Sequence, residues 1–331
     1  MRDFSLDIIR SIAIIFVICI HSMGKLNILV TAFFDENAIS HLFLSSIIYM
    51  GVPLFVMLSG ALLLGKEEKP NIFLKKRFKR IMIPFFLWSI IVFVLNKITN
   101  HQFLSIYSIK EFTLQFLTNG VHGIYWYIYM LIGLYLLTPI LQKLLTNISS
   151  QLFHYTLILI ITFIITQYTL SSKDMQPLLM NYSFQYLIYI GYYIGGYYLY
   201  THKNKFVYLT QISIYGFCIF YLLGILNNIH PYSKFPFLFF QSLCFFGIII
   251  STKKSIPSNK NIWNKLIQFI SSTSYGIYLS HFLLISILCK IGYEKIIPTF
   301  IEPILMTFTV LILELILQYL INKTKLKKIL M

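Results

Sequence analysis

Solid blocks of apolar residues, separated by short polar stretches, run through the whole chain; residues 155–170 and 304–321 are examples. Strands of a transmembrane barrel would instead alternate apolar and polar side chains over about ten positions. A helix needs roughly 20 apolar residues to cross about 30 Å of hydrocarbon, which is close to the length of these blocks. Backbone groups in lipid must bond within the chain, so each block is expected to be helical. The pattern predicts ten spans, at 4–24, 42–64, 81–98, 124–142, 152–170, 182–200, 207–225, 235–251, 268–290 and 300–321. Three longer connections remain: a strongly basic one at 65–80, a mixed polar one at 99–123, and 252–267 with four lysines. The expected fold is an all-α polytopic membrane helix bundle. Its spans use up the 331 residues as one domain, 1–331, with no soluble domain.

Composition narrows the class further. Apolar types form 57% of the chain and charged types 11%, against about 45–50% and about 25% in soluble domains. A soluble enzyme, a disordered tail and a disulfide scaffold are excluded. The net charge of +16 would suit nucleic acid in a soluble chain. Here it follows the rule that cytoplasmic loops are enriched in Lys and Arg. Threading the ten spans puts 19 of these residues on the side of the N-terminus and 7 on the other, with Arg10 inside a span. Both termini are therefore expected in the cytoplasm, and nucleic acid is not an expected partner. Cys19, Cys218, Cys244 and Cys289 lie in apolar stretches without metal or CxxC spacing, so they read as small buried hydrophobes. The first span carries Arg10 and His21 and no cleavage site follows, so it does not read as a signal peptide. The run Gly191–Gly195 fits the small-xxx-small pattern of close helix packing.

Ionisable groups inside a span are costly and commonly face a polar interior. Arg10 and His21 are eleven positions apart. At 100° per residue they fall about 20° from the same direction, about 16 Å apart along the axis. They could line one channel; alternatively, Arg10 reaches the headgroups and His21 sits in the outer interface. Before the third span, Lys75-Lys76-Arg77-Phe78-Lys79-Arg80 places Arg77 and Arg80 on one helical face. Arginine forks bind phosphate oxygens bidentately, although a basic cluster here also holds anionic lipid. Ser59 in the second span could donate to a polar interior, or bond its own backbone. His122 and His281 are further ionisable groups near or within spans, and Trp126 and Tyr127 start as interfacial aromatics.

These residues carry a resemblance. Arg10 and His21 match the Arg-x10-His signature of the membrane acyltransferase family 3. Val52–Gly60 resembles that family's Phe-Phe-x-Leu-Ser-Gly motif, and Arg77-x-x-Arg80 with Pro84 its basic motif. Ser274–His281 is similar to its Ser-Tyr-Gly-Ile-Tyr-Leu-x-His motif. The match covers nearly the whole chain in order. It resembles the stand-alone, ten-span members that modify bacterial surface polysaccharides from the cell membrane.

The resemblance implies transfer of an acyl group, usually acetyl, from acyl-CoA in the cytoplasm to a hydroxyl of a surface polysaccharide or lipid-linked glycan. No permanently bound cofactor and no metal are expected. A sugar hydroxyl is a poor nucleophile near neutral pH, and a neutral imidazole can take its proton. His21 is the candidate base, with Arg10 beside the path of the thioester. Arg77, Arg80 and Lys76 would hold the nucleotide phosphates. Ser59, His122, Trp126, Tyr127 and His281 are candidates for substrate contact or support. Donor and acceptor are expected to enter from opposite sides, along one continuous channel from Arg77 and Arg80 past Arg10 to His21. The alternative is an exporter of polysaccharide or lipid-linked glycan without chemistry. Such a protein needs neither the Arg–His stripe nor the arginine pair.

Overall fold

A computed structural model describes residues 3–25, 44–66, 68–102, 105–118, 120–147, 182–204, 209–226, 235–252, 261–293 and 301–324. These residues form a helical bundle. Its helices are α1 (Phe4–Lys25), α2 (Gly51–Leu63), α3 (Pro70–Thr99), α4 (Ile106–Leu117), α5 (Trp126–Asn147), α6 (Tyr182–His202), α7 (Leu209–Leu226), α8 (Phe235–Ser251), α9 (Ile262–Lys290) and α10 (Glu302–Asn322). Among the described residues, six segments are long and apolar enough to cross a membrane: Phe4–Gly24, Leu44–Leu63, Pro70–Thr99, Gly123–Leu145, Ile262–Lys290 and Glu302–Asn322. Shorter apolar helices occupy Thr210–Leu223 and Phe237–Ser251. The span expected at 152–170 lies outside the described residues.

Local chemistry explains the helix ends that frame the site. Asp3 accepts a hydrogen bond from the Ser5 amide at 3.0 Å, capping α1 with a side-chain oxygen. Pro70 opens α3, where its missing N–H costs nothing. Asn261 caps α9 by accepting from the Trp263 amide. Gly292, at φ 83°, ends α9 in the left-handed conformation that glycine adopts without strain.

Three expected loops are corrected. The basic stretch 66–80 is mostly helical, because α3 begins at Pro70 rather than 81. Thirty residues make a helix of about 45 Å, longer than the hydrocarbon is thick. The turns bearing Lys75 to Arg80 can therefore stand in the headgroup layer. Within 99–123 lies α4, whose Ser105 and Ser108 form a reciprocal cap. Its Phe112 and Phe116 pack against Phe85, Phe86 and Phe93 of α3. Part of 252–267 is also helical, since α9 begins at Ile262.

Helix α1 packs along α9, α2 along α6, and α7 along α8. The α2–α6 crossing brings two backbones together. A Cβ on Gly60 would run into the Tyr193 carbonyl, and one on Gly196 into the Met57 carbonyl. The close approach thus uses Gly60 and Gly196. Gly195 of the expected Gly191–Gly195 pattern instead faces Leu243 of α8.

Candidate active site

Arg10 on α1 does not reach out to lipid. Its Nη1 donates to Ser271 Oγ on α9 at 3.0 Å, and Ser271 Oγ donates to Asp7 Oδ1 at 2.6 Å. Arg10 Nη1 lies 3.8 Å from Asp7 Oδ1. The arginine therefore has a counter-charge three residues back on its own helix, which offsets the cost of placing it in a span. Asp7 and Ser271 escaped the sequence reading. Asp7 was legible as the carboxylate one turn before Arg10, whereas nothing in the sequence marked Ser271 as its neighbour. Ser11 Oγ donates to the Ile267 carbonyl at 3.0 Å, and with Arg10 beside Ser271 and His21 beside His281, α1 and α9 run side by side in parallel.

This network forms part of the wall of a cavity of about 550 Å³, within the usual range for small-molecule sites. The cavity joins residues distant in sequence: Asp3, Asp7 and Arg10, Ser59, Lys66, Arg77 and Arg80, Tyr127 and Tyr135, Tyr200, and Ser271 to Tyr278. Lys66, Arg80 and Ser272 are exposed and mark its mouth. Four cationic side chains face two carboxylates there, and both carboxylates have partners. Asp3 accepts from Lys203 Nζ at 2.7 Å and from the Tyr200 hydroxyl at 3.1 Å. Burial pushes the Asp3 carboxyl up, but the Lys203 hydrogen bond and charge outweigh this and hold it below the ordinary carboxylate value. The lining therefore favours an anionic ligand.

Arg77 and Arg80 both line the cavity, as their shared face requires. Arg77 lies with its guanidinium 5.3 Å over the Phe73 ring and 3.7 Å from Glu68. Its Nε is buried and has no hydrogen-bond partner, which leaves a donor for a phosphate oxygen. Near Pro84, which lies inside α3, the Ile81 carbonyl accepts from the Tyr275 hydroxyl at 2.8 Å. That bond ties the basic end of α3 to α9.

Lys76 is not part of this lining and donates to Glu68 Oε1 at 3.2 Å. Successive residues on a helix diverge by about 100°, so Lys76 cannot share the face of Arg77. The Lys76 hydrogen bond, with the charges of Arg77 and Lys66, holds the Glu68 carboxyl below its usual value. Lys66, hidden among the seven basic residues of 66–80, takes the place at the mouth that Lys76 was expected to fill.

Ser59 and Tyr127 line the cavity, and the Ser59 hydroxyl donates to the Phe55 carbonyl at 2.9 Å. Trp126 lies outside the lining, packed 5.7 Å from Tyr189. The lining includes Tyr127 and Tyr278, whose rings are 5.3 Å apart, and does not include His21. The Tyr278 hydroxyl is bonded to the Ile124 carbonyl. Arg10 and His21 both face α9, Arg10 beside Ser271 in the cavity wall and His21 beside His281 outside this lining.

Farther along the α1–α9 pair the three histidines come together. The His21 ring is 5.2 Å from His281 and 6.3 Å from Phe282, and the His122 ring lies 3.9 Å from Phe282, tilted by 53°. His122 caps the 3-10 turn Gly123–Tyr125 by accepting from the Ile124 amide at 3.3 Å. The Tyr125 hydroxyl, bonded to the Leu279 carbonyl at 3.2 Å, pins this turn against α9. Among the described residues no group of His, Cys, Asp and Glu is arranged to hold a metal ion.

A membrane helix bundle with a cationic cavity at one end and an imidazole cluster deeper along the same helix pair suits acyl transfer from an anionic donor. A family model described as an acyltransferase domain matches residues 3–322. The chain belongs to this family of membrane acyltransferases and is an enzyme that transfers acyl groups. No curated protein and no solved structure matches it. Family membership sets aside the exporter without chemistry.

Proposed function

We propose that this enzyme moves an acetyl group from acetyl-CoA to a hydroxyl of a surface polysaccharide or lipid-linked glycan, in the inner membrane of a bacterium. The reading assigns it ten spans with both termini in the cytoplasm, in line with the distribution of Lys and Arg. The observation that carries it is the convergence of Arg10, Arg77 and Arg80, from two helices, on one cavity. Arg77, Arg80 and Lys66 hold the phosphates at the cytoplasmic mouth, and the pantetheine arm runs inward past Arg10. To meet His21, the thioester end passes Tyr127 and Tyr278.

At His21 the acceptor oxygen attacks the thioester carbonyl carbon. The imidazole takes the hydroxyl proton as the C–O bond forms. The C–S bond then breaks, and the imidazolium returns that proton to the departing thiolate. Products are the ester and free coenzyme A. Arg10, balanced by Asp7, lends positive charge to the path without leaving an unpaired ion in the span. The test is incubation of purified protein with radiolabelled acetyl-CoA and glycan acceptors, with H21A at equal expression. Label in the glycan and free coenzyme A are expected, with no turnover by H21A. Near-normal turnover by H21A removes the histidine from the chemistry, and coenzyme A release without labelled glycan overturns the acceptor class.

A further inference from the structure

His281 has a feature that ordinary packing does not require. The residue is fully buried. Its Nδ1 lies 2.8 Å from the Tyr278 carbonyl and 3.1 Å from the Ile277 carbonyl. Carbonyl oxygens only accept, so in the neutral ring Nδ1 carries the proton and Nε2 presents a lone pair. That Nε2 is buried and has no hydrogen-bond partner. Buried acceptors are nearly always satisfied, so a donor is called for within reach.

The neighbours narrow the choice. The Tyr278 hydroxyl, on a ring 5.9 Å away, is spent on the Ile124 carbonyl. His122 accepts the Ile124 amide at Nδ1, which leaves its donor at Nε2, and its ring packs tilted against Phe282. The His21 ring is 5.2 Å from His281, tilted by 37°. At that separation, two imidazoles whose nitrogens face each other are at ordinary hydrogen-bond distance. The terminal torsion of histidine is broad, so a modest ring turn of His21 closes the bond. Burial decides the roles: His21 is partly exposed and His281 is not.

We propose that His281 is the positioning residue for His21. Its Nε2 accepts the His21 ring proton, which holds His21 in the tautomer whose other nitrogen faces the acceptor hydroxyl. The backbone carbonyls of Ile277 and Tyr278 hold His281 in turn, in the way a carboxylate orients a catalytic imidazole elsewhere. This inference rests on His21 being the base.

Two substitutions separate this role from plain packing. The H281N amide can occupy the place of Nδ1 and bond the two carbonyls, but it offers nothing at Nε2. The H281Q carbonyl can reach the place of Nε2 and accept from His21. With acetyl-CoA as donor, H281N is expected to lower kcat about 10–100-fold, the usual effect of losing an orienting partner. KM for the donor should not move, because the cationic cavity is untouched. H281Q should retain kcat within about tenfold of the parent on the same scale. An H281N kcat equal to or above that of H281Q, with donor binding intact in both, overturns the proposal. If H281N does not fold, H281Q decides alone: retained turnover supports the role, and lost turnover with intact donor binding overturns it. H21A distinguishes the two levels. Normal turnover in H21A removes the base and this inference with it, whereas inactive H21A beside fully active H281N removes only the inference.

Discussion

Removing the arginines at the cavity mouth should weaken donor binding in proportion to how far each faces the cavity. Arg77 is 17% exposed and keeps a buried, unpartnered Nε, while Lys76 on the adjacent position is 56% exposed and bonded to Glu68. A hydrogen bond to a charged group contributes about 1.5–3 kcal/mol, so R77A should raise the donor Kd about 10–100-fold. Arg80 is exposed, so solvent screening discounts its share, and R80A should lie near the lower end, about tenfold. K76A removes an exposed charge outside the cavity lining, which solvent screens from the donor, so no more than about a fivefold change in Kd is expected. The two arginines share one ligand, so the double variant should fall short of the product of the singles. The assay is equilibrium binding of radiolabelled acetyl-CoA to detergent-solubilised protein at fixed ionic strength, with size-exclusion profiles confirming folding. If K76A costs as much as R77A, the cluster acts as a diffuse field and the facing argument fails. If R77A binds normally, the phosphates rest elsewhere.

Packing and pH supply two further predictions. G196A should destabilise the protein markedly, because its Cβ would run into the Met57 carbonyl of α2, whereas G133A, with open space around it, should melt like the parent. Equal melting temperatures for the two would refute the α2–α6 crossing. Asp3 has a depressed native pKa, so the unfolded chain binds more protons there as the solution is acidified. The Asp3–Lys203 contribution should be complete above the free-carboxyl value of 3.8 and disappear as pH falls below it through the native value. Thermal melts of D3N and the parent should therefore differ at neutral pH and converge in acid. A gap that persists unchanged at the lowest pH would show that the carboxylate charge is not what stabilises the contact.

Membership of the class was legible in the sequence because lipid leaves few choices. Apolar blocks of spanning length must be helices, and the spacing of Arg10 and His21 sets their shared face by arithmetic on 3.6 residues per turn. Both then face α9 through Ser271 and His281. The pair Arg77 and Arg80 was likewise a matter of one helix. Contacts between helices were another matter. Nothing local marks Ser271 as the link between Arg10 and Asp7, Lys66 as a cavity cation in place of Lys76, or Gly196 as the glycine of the crossing. Each depends on which faces meet once α1 lies along α9 and α2 along α6.

Periodicity along one helix is a property of the chain and can be read from it. The lining of the cavity, and the meeting of His21, His122 and His281, arise from residues more than 100 positions apart. Side chains on helices separated in sequence share a site only through the rotation and height of each helix, which packing alone sets. The sequence thus determined a membrane helix bundle with charged stripes, and the tertiary structure decided which stripes face one another.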